Sequence, residues 1–332
     1  MRVLITGGTG LVGSHTVAAV ERAGHEPRLL VRDPARMPRA GLDHVVGDVT
    51  DGDSVAKALD GCDAVLHAAS VVSLHVRDAD EVLAVNRHSA EVVLAQAVEL
   101  GLDPVVHVSS IAALEPAAPG KAIGPDAPVT TKPGTYARSK AAAEQVARRL
   151  QDAGAPVVTV YPTMVLGPRD PNVGEGTTAV RNVLRGVLRV FPPGGMHIVD
   201  VRDLAAVHAK LLAPGKGPRR YVVAGHARTT DELIADLRRL TGRAIRTANL
   251  PVGVAHAGGR LADALQRVVP VRFPLSYEAV QTLTEHHPCD DSRTWADLGL
   301  APRPLDDTLV DTVRWMVEGG LLTPDQAGAL AP

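Results

Sequence analysis

The sequence predicts an α/β fold in which helices cover both faces of a doubly wound parallel sheet, followed by a smaller C-terminal α/β lobe. Between residues 1 and 161, short apolar runs alternate with longer helical patterns. These runs are apolar throughout, as is typical of strands buried on both faces. A glycine-rich turn follows the first run and opens the first helical pattern, which is how a nucleotide-binding sheet begins.

The strands of the large sheet are predicted from six short runs that are rich in Val, Leu and Ile and are bounded by Gly, Asp or Pro. These runs are Arg2–Thr6, Arg28–Val31, His44–Val46, Ala64–His67, Val105–Val108 and Val157–Tyr161. Helical patterns lie between them at Leu11–Ala23, Ser54–Leu59, Asp80–Leu100 and Tyr136–Ala153. Gly24 and Gly101 follow two of these helices and are expected to end them.

Beyond Tyr161 the pattern loosens. Pro, Gly and Asp crowd residues 162–176, which are predicted to form a functional loop. Further helices are predicted at Thr178–Val190, Arg202–Leu212, Thr230–Thr241 and Leu305–Glu318, and strands at His197–Val199 and Arg220–Val223. No element is assigned to residues 251–275, which are apolar and rich in Pro and Arg.

Two units are expected from this organisation. The first is a dinucleotide-binding domain at residues 1–161, to which residues 197–213 return. The second is a substrate-binding lobe formed by residues 162–196 and 214–332. A break between the two units at the end of the sixth strand is consistent with an α/β domain that carries an appended lobe.

The composition narrows the class of protein. Apolar residues make up 45% of the 332-residue chain, and no apolar run reaches the roughly 18 residues that a membrane-spanning helix needs. The N-terminus is broken by glycine too early for a signal peptide, so a cytoplasmic protein without a membrane partner is expected. The net charge of −2 and the 2% aromatic content disfavour a nucleic-acid partner. Cys62 and Cys289 predict neither a disulfide framework nor a metal site.

The segment Thr6–Gly13 carries Gly7, Gly10 and Gly13 in the spacing G-x-x-G-x-x-G. Glycine at these positions permits a tight turn and lets the backbone approach a pyrophosphate at the N-terminus of the next helix. An ordinary glycine-rich turn would share this spacing. Its place between the first strand and the first helix favours a dinucleotide site, and the large sheet is therefore expected to be of the Rossmann type.

The end of the second strand indicates which dinucleotide is bound. An acidic residue there binds the ribose 2′-hydroxyl of NAD, whereas an arginine accommodates the 2′-phosphate of NADP. Arg32 fills this position ahead of Asp33, and Arg36 could reach the same phosphate, so NADP is expected, with NAD as the alternative. A solvated surface turn would use the same residues. Asp48 follows the third strand and either accepts a hydrogen bond from the adenine amino group or belongs to a helix cap.

Tyr136 and Lys140 lie four residues apart on a predicted helix and so share a face. A tyrosine pKa of about 10 is too high for acid–base work at neutral pH, and a neighbouring ammonium lowers it. This spacing also occurs in ordinary helices. Ser109 and Ser110 end the strand Val105–Val108 at the carboxyl edge of the sheet, where ligands bind in doubly wound folds. A serine hydroxyl there either orients a substrate oxygen toward Tyr136 or simply ends the strand.

In combination, these motifs make the chain similar to an extended short-chain dehydrogenase/reductase of the NAD-dependent epimerase/dehydratase superfamily. The resemblance covers nearly the whole chain and is greatest to the dihydroflavonol-reductase-like and 3β-hydroxysteroid-dehydrogenase-like branch. The matching segments are Thr6–Gly13, Gly47–Thr50, Leu66–Ala69, Val85–Asn86, Val106–Ser110, Tyr136–Lys140, Tyr161–Pro168, Val201–Ala205 and a terminal helix with Trp315.

The resemblance implies that Tyr136 is the acid/base, that Ser110 is the catalytic serine and that Lys140 binds the nicotinamide ribose and lowers the tyrosine pKa. Asn86 matches a family position whose role is mostly structural. The implied cofactor-binding residues are Gly7, Thr9, Gly10, Leu11, Val12, Arg32, Asp48, Val49, Ala68, Ala69, Lys140, Pro162 and Met164. The resemblance also implies a homodimer whose interface is formed by the helices predicted at Asp80–Leu100 and Tyr136–Ala153.

The expected reaction is hydride transfer between NADP(H) and an apolar ketone, aldehyde or secondary alcohol, with Tyr136 exchanging the proton. Donors at Ser110 and Tyr136 would stabilise the developing alkoxide. One alternative is a nucleotide-sugar epimerase or dehydratase on the same fold. A dehydratase of this type needs an acidic pair after the catalytic hydroxyl, where this chain has Ile111 and Ala112. A second alternative, a non-catalytic NADP-binding regulator, is disfavoured because the catalytic residues are retained.

The substrate is expected to be a small apolar molecule. Aligning Val201–Leu204 on the family's Val-x-Asp-Leu element puts Met196 where nucleotide-sugar members carry an arginine for the diphosphate, and a thioether cannot form that pair. Apolar residues near the site suit a hydrophobic ligand: Val71, Val72, Leu74, Met164 and Val165. Three neighbouring arginines could still supply the missing charge: Arg169, Arg181 and Arg185.

Overall fold

The structure is a computed structural model that describes residues 1–73, 76–116, 121–268 and 276–331. Its strands are β1 (Arg2–Thr6), β2 (Glu26–Val31), β3 (Asp43–Val46), β4 (Ala64–His67), β5 (Val105–Val108), β6 (Val157–Pro162), β7 (Met164–Leu166), β8 (Val190–Phe191), β9 (Gly195–Asp200), β10 (Arg219–Val223), β11 (His226–Thr229) and β12 (Ala248–Asn249). Its α-helices are α1 (Leu11–Arg22), α2 (Gly52–Leu59), α3 (Ala79–Glu99), α4 (Thr135–Asp152), α5 (Glu175–Leu184), α6 (Val201–Leu211), α7 (Thr230–Thr241), α8 (Val252–Val268), α9 (Tyr277–Thr284), α10 (Ser292–Leu298), α11 (Leu305–Glu318) and α12 (Pro324–Ala327).

The large sheet has the strand order β10-β6-β5-β4-β1-β2-β3, and every neighbouring pair is parallel. Ile5 of β1 pairs with Leu29 of β2 on one side and with Leu66 of β4 on the other. The chain therefore reverses its direction of winding at β1, and ligands of such sheets bind at the carboxyl ends of the strands at this point. The predicted doubly wound α/β fold is confirmed.

The large sheet is buried on both faces. Val3 and Ile5 pack with residues of α1 and α6, whereas Leu4 between them packs with residues of α2, α3 and α4. All three side chains are fully buried. Burial of each contributes about 1.5–3 kcal/mol, which explains why continuous apolar runs specify this sheet.

The remainder of the chain forms two smaller sheets and a third core. β9 pairs with β7 in parallel and with β11 in antiparallel orientation, and β12 pairs with β8 in parallel. The third core gathers buried side chains of α5, α7 and α11, such as Leu184, Leu237 and Leu309. This core belongs to the C-terminal lobe that the sequence predicts.

Several boundaries differ from the sequence prediction. The helix expected at Thr178–Val190 is α5, which begins earlier and ends at Leu184, because Gly186 adopts a left-handed conformation with φ +68°. The loop expected at 162–176 contains β7, whose three residues are too few to give a periodic pattern. Residues 219–223, assigned to the substrate lobe, form β10 in the large sheet.

The unassigned segment 251–275 is helical as far as Val268 in α8, and its remaining residues lie outside the described part of the chain. Gly24 and Gly101 follow α1 and α3 with φ of +82° and +73°, as expected for helix ends. No helix of the described residues is long and apolar enough to span a bilayer. Cys62 and Cys289 are both free and half-buried.

Candidate active site

The turn between β1 and α1 needs glycine at two positions for internal packing. Gly7 has φ +73°, and a Cβ there would lie 2.7 Å from the amide nitrogen of Ala69. A Cβ on Gly13 would lie 2.1 Å from the carbonyl oxygen of Gly7. The nearest atom to a Cβ on Gly10 is 3.6 Å away, so the surrounding protein leaves space above this residue. The turn is therefore closely packed at Gly7 and Gly13 and open at Gly10.

The N-terminus of α1 suits an anionic ligand. Gly10 is its N-cap residue and makes no side-chain capping bond, and the first turn contains no acidic residue. The leading N–H groups and the positive end of the helix dipole favour a phosphate at such a position. The residues present therefore fit the pyrophosphate of a dinucleotide. The structure gathers the other predicted contacts around this turn: Thr9, Leu11, Val12, Ala68 and Ala69.

Arg32 and Asp33 differ in how they are engaged at the end of β2. The Asp33 carboxylate accepts a hydrogen bond from the Ala35 amide at 2.9 Å and so caps a short turn. Arg32 is exposed, and its charge helps to lower the pKa of Asp48. The larger cause of that lowered pKa is Thr50, whose hydroxyl and amide donate to Asp48 at 2.7 and 2.9 Å. The helix cap of α2 is Asp51 rather than Asp48.

A loop at residues 167–174 lies against the glycine turn. The guanidinium of Arg36 donates to the side-chain oxygen of Asn172 at 2.5 Å. The side-chain nitrogen of Asn172 would lie 3.9 Å from a Cβ added to Gly10. His15 of α1 contacts the Pro168 carbonyl at 2.9 Å. Sequence reasoning named Arg36 but missed Asn172 and His15. The predicted loop at 162–176 was the signal that could have found them.

The same loop is held in a strained conformation. Arg169 and Val173 have φ of 60° and 48°, in the left-handed region that non-glycine residues rarely adopt. Buried Asp170 fixes the loop by accepting bonds from the Gly174 amide at 2.8 Å and the Thr177 hydroxyl at 2.7 Å. Strain of this kind concentrates at ligand-binding segments.

The three predicted catalytic residues meet at the carboxyl end of β5. Ser110 follows this strand, is buried, and accepts a bond from the Ala112 amide at 3.2 Å. Tyr136 is the second residue of α4, and its phenol is within hydrogen-bonding reach of Ser110. Lys140 lies one turn later, with its Nζ 5.8 Å from the Tyr136 ring centre and 3.5 Å from the Val108 carbonyl.

The electrostatics differ from the sequence expectation. Burial raises the pKa of Tyr136, the Ser110 hydrogen bond works against this, and the charge of Glu278 raises the pKa further. Burial also lowers the pKa of Lys140 to about 8, and the Glu144 carboxylate opposes that change. Burial of the phenol is thus the largest influence on the pKa of Tyr136, and the lowering of that pKa by Lys140 stays a prediction.

A buried polar group lies behind Lys140 on the same face of α4. Glu144 is fully buried, accepts a bond from the Tyr161 hydroxyl at 2.6 Å, and pairs with Arg148 at 2.9 Å. Burial raises the pKa of Glu144 despite these partners. Ser109 is also buried, and its hydroxyl lies within reach of Glu144. Sequence reasoning had treated the segment after Lys140 as an ordinary helix.

Asn86 joins the catalytic helix to the loop after β4. Its side chain bonds both backbone groups of Val71, at 2.8 and 2.9 Å, and donates to Ser139 at 3.0 Å. These contacts are structural, as the sequence predicts. Among the other expected residues, Pro162 is buried at the end of β6, Met164 begins β7 and Val49 is half-buried, while Leu74 lies outside the described residues. Within the described ranges, no group of His, Cys, Asp and Glu could hold a metal ion.

Comparison with known proteins identifies the family. Residues 3–224 match the NAD dependent epimerase/dehydratase family, and this range includes the glycine turn, Ser110, Tyr136 and Lys140. The chain belongs to the NAD dependent epimerase/dehydratase family. The predicted resemblance is thus confirmed, and the chain is an NAD(P)-dependent oxidoreductase enzyme.

Members of the family from other organisms align over nearly the whole chain. Sterol demethylase protein B of Methylococcus capsulatus is 30% identical and covers 97% of this chain and 100% of its own length. A putative dihydroflavonol 4-reductase of Synechocystis is 27% identical, covering 95% and 94%. A 4-hydroxy-2-methyl-3-oxo-4-farnesyl-3,4-dihydroquinoline-1-oxide ketoreductase of Stigmatella aurantiaca is 27% identical, covering 95% and 96%.

Solved structures share the fold of this family member. The crystal structure of gox2253 has a TM-score of 0.83 and 27% identity, covering 97% of this chain and 99% of that one. UDP-glucose 4-epimerase of Thermotoga maritima has a TM-score of 0.76 and 18% identity, covering 96% and 99%. At 18% identity the second likeness is one of fold alone.

Proposed function

We propose that the chain is an NADP(H)-dependent oxidoreductase that interconverts an apolar ketone or aldehyde and the corresponding alcohol, with Tyr136 as acid/base. The observation that carries this proposal is the meeting of Tyr136, Ser110 and Lys140 at the carboxyl end of β5, two strands from β1 and its open glycine turn. This arrangement brings a proton donor, an orienting hydroxyl and a buried ammonium to the edge of the sheet where a dinucleotide binds.

The chain's own residues would handle the oxygen of the substrate. Bound NADPH supplies the hydride that reduces the carbonyl carbon. The Tyr136 phenol donates its proton to the carbonyl oxygen, and the Ser110 hydroxyl hydrogen-bonds that oxygen as negative charge develops. Carbonyl, hydride and proton together give the alcohol, and the phenolate regains a proton from solvent. The phenol carries its proton at neutral pH, and the Ser110 hydrogen bond, which opposes the effect of burial on its pKa, favours release of that proton to the substrate oxygen.

Lys140 would bind the nicotinamide ribose. Its ammonium is buried, and among the described residues it makes no ion pair and hydrogen-bonds a single group, the Val108 carbonyl at 3.5 Å. A buried cation with donors to spare is a suitable partner for ribose hydroxyls. Burial lowers the pKa of Lys140 to about 8, which brings the change of its charge close to neutral pH.

The proposed preference for NADP(H) rests on a difference between Arg32 and Asp33, because one side chain is exposed and the other is hydrogen-bonded within its own turn. The Asp33 carboxylate is used in capping its own turn, while Arg32 is exposed at the strand end beside Asp48. An arginine in this position can meet a 2′-phosphate with directed, charge-assisted hydrogen bonds. NAD remains the alternative cofactor.

The proposal of an apolar substrate rests on the positions of Met196 and of the nearby arginines. Met196 packs against the core of the C-terminal lobe. Arg181 and Arg185 line surface clefts with residues 320–326 and 243–246, and Arg169 is exposed on the loop beside His15. None of these arginines contacts Ser110 or Tyr136 among the described residues. The reductases of Synechocystis and Stigmatella, by their names, act on carbonyl compounds.

The test is a screen of ketones, aldehydes and secondary alcohols with both cofactors, following the absorbance of the reduced nicotinamide. We expect turnover with NADP(H) on an apolar carbonyl. The second candidate is a nucleotide-sugar epimerase, because the Thermotoga enzyme shares the fold. Calorimetric titration with UDP-, GDP- and dTDP-sugars tests it. Micromolar binding of such a sugar with turnover would transfer the assignment to that reaction.

The role of Tyr136 is tested on the substrate so identified. Tyr136→Phe keeps the ring but removes the proton, so turnover should fall by roughly a hundredfold or more while NADPH affinity is unchanged. Tyr221→Phe is a matched control, because its hydroxyl makes only a 3.4 Å contact with Asp297. Near-normal turnover of Tyr136→Phe would show that the proposed acid/base is wrong.

A further inference from the structure

Glu278 of α9 contacts the first turn of the catalytic helix. Its Oε2 accepts hydrogen bonds from the amides of Thr135 at 2.8 Å and Tyr136 at 3.2 Å. Its Oε1 accepts a third from the amide of Ala137 at 2.9 Å. Both oxygens of one carboxylate therefore bind the N-terminus of α4, where the helix dipole also favours negative charge.

The catalytic helix has no cap of its own. Its N-cap residue is Gly134, which makes no side-chain capping bond, and its first turn contains no acidic residue. A Cβ on Gly134 would lie 2.6 Å from Oε1 of Glu278, so glycine is what allows the carboxylate to approach. The cap is supplied by a residue 143 positions later in the chain.

The segment that carries Glu278 is itself fastened to the loop before α4. Lys132 pairs with Glu285 at the end of α9. Backbone bonds join Ile123 to Pro288 at 2.8 Å and Asp290 to Ile123 at 3.0 Å. Contacts of residues that follow Glu278 in the chain therefore hold the end of α9 beside the loop that leads into the catalytic helix.

We propose that Glu278 is a positioning residue for the reaction: its carboxylate fixes the first turn of α4 from the C-terminal lobe and so aims the Tyr136 phenol at the substrate oxygen. The proposal rests on the function proposed above. Tyr136 is the second residue of α4, and its own amide is one of the three donors. A loss of these bonds would let the turn that carries the phenol fray.

The carboxylate also acts on the phenol through its charge. Glu278 raises the pKa of Tyr136, after the larger effect of burial. The other charged group at the phenol is Lys140 of the same helix, 5.8 Å from the ring centre. Asp263 of α8 faces Glu278 and, after burial, helps to raise its pKa. Removing the charge of Glu278 should therefore lower the pKa of Tyr136.

The experiment compares Glu278→Gln with the wild type in ketone reduction across pH. The amide keeps the shape but cannot accept all three N–H bonds, so kcat should fall about tenfold with little change in KM for NADPH. The pH midpoint of the phenol, taken from the tyrosinate absorbance of each protein less that of its Tyr136→Phe counterpart, should move down by about 0.5–1 pH unit. Amide hydrogen exchange of residues 135–137 should quicken, a readout that needs no substrate.

Two further variants separate positioning from simple stability. Glu318→Gln removes the same charge from an exposed position at the end of α11 and should leave the pH midpoint unchanged. Glu278→Asp keeps the charge on a shorter side chain, so it should lower kcat while retaining the wild-type midpoint, and it serves if Glu278→Gln does not fold. An active wild type whose midpoint and exchange are unaffected by Glu278→Gln would overturn the inference, whereas an inactive wild type would instead overturn the proposed function.

Discussion

At the scale of single residues, the proposed preference for NADP(H) depends on one exposed side chain at the end of β2. Arg32 is exposed, whereas its neighbour Asp33 is engaged by the Ala35 amide. We expect Arg32→Gln to weaken NADPH binding by about tenfold to a hundredfold and to leave NADH binding unchanged, because only NADPH carries the 2′-phosphate. Fluorescence titration with both reduced cofactors measures this.

Arg22→Gln is the control for that experiment. Arg22 is an exposed arginine in the last turn of α1, at the end of the helix away from the glycine turn. Both cofactors should bind this variant as they bind the wild type. Equal or tighter binding of NADH by the unaltered protein would contradict the preference and would make Asp33 the ribose ligand.

At the scale of elements, α1 and the turn before it form the part of the site that tolerates least change. In Gly13→Ala the new Cβ would lie 2.1 Å from the Gly7 carbonyl oxygen, so the backbone of the turn must move. We expect the variant to lose about 1–3 kcal/mol of unfolding free energy and most of its NADPH affinity. Thermal unfolding with and without NADPH would report both losses.

Gly253→Ala provides the matched comparison within a helix. A Cβ there meets nothing within 4 Å, and alanine favours a helical backbone over glycine. This variant should keep the wild-type cofactor affinity and at least the wild-type stability. Normal NADPH binding by Gly13→Ala would mean that the glycine turn is not the pyrophosphate site.

At the scale of the whole molecule, buried histidines make stability depend on pH. Burial is the main cause of a lowered pKa in seven histidines: His15, His25, His67, His107, His197, His208 and His287. For His67 and His208 the pKa falls to about 3. The unfolded chain binds protons below about pH 6.5 while these imidazoles stay neutral, so the folded state is fully stable above that pH and loses stability as pH falls toward 3.

His208→Asn isolates one of these contributions. His208 is fully buried between α6 and α1 and hydrogen-bonds Thr16 at 2.8 Å. Between pH 7 and pH 5.5 the variant should lose about 1 kcal/mol less unfolding free energy than the wild type, although it starts from a lower value. Urea unfolding across this range measures the difference. The exposed His88→Asn should follow the wild type, and a parallel response of His208→Asn would refute the account.

The sequence by itself determined the large sheet, the glycine turn and the choice of the three residues that are proposed for catalysis. Each depends on a local pattern: continuous apolar runs at β1 and β4, a backbone at Gly7 and Gly13 that only glycine can adopt or accommodate, and Tyr136 and Lys140 one helical turn apart. Apolar periodicity and the need for glycine in a tight turn can be predicted from the sequence because they involve residues that are close together in the chain.

Only the tertiary structure decided what surrounds those residues. Arg36 and its partner Asn172 are separated by 136 positions in the sequence, and Glu278 and its partner Thr135 by 143 positions. No local pattern encodes partners that lie so far apart. The tertiary structure also decided which influence on the pKa of Tyr136 is largest. Lys140 is where the spacing predicts, but the free energy of ionising a phenol depends on how deeply the folded protein buries it and on the charges that other elements bring to it.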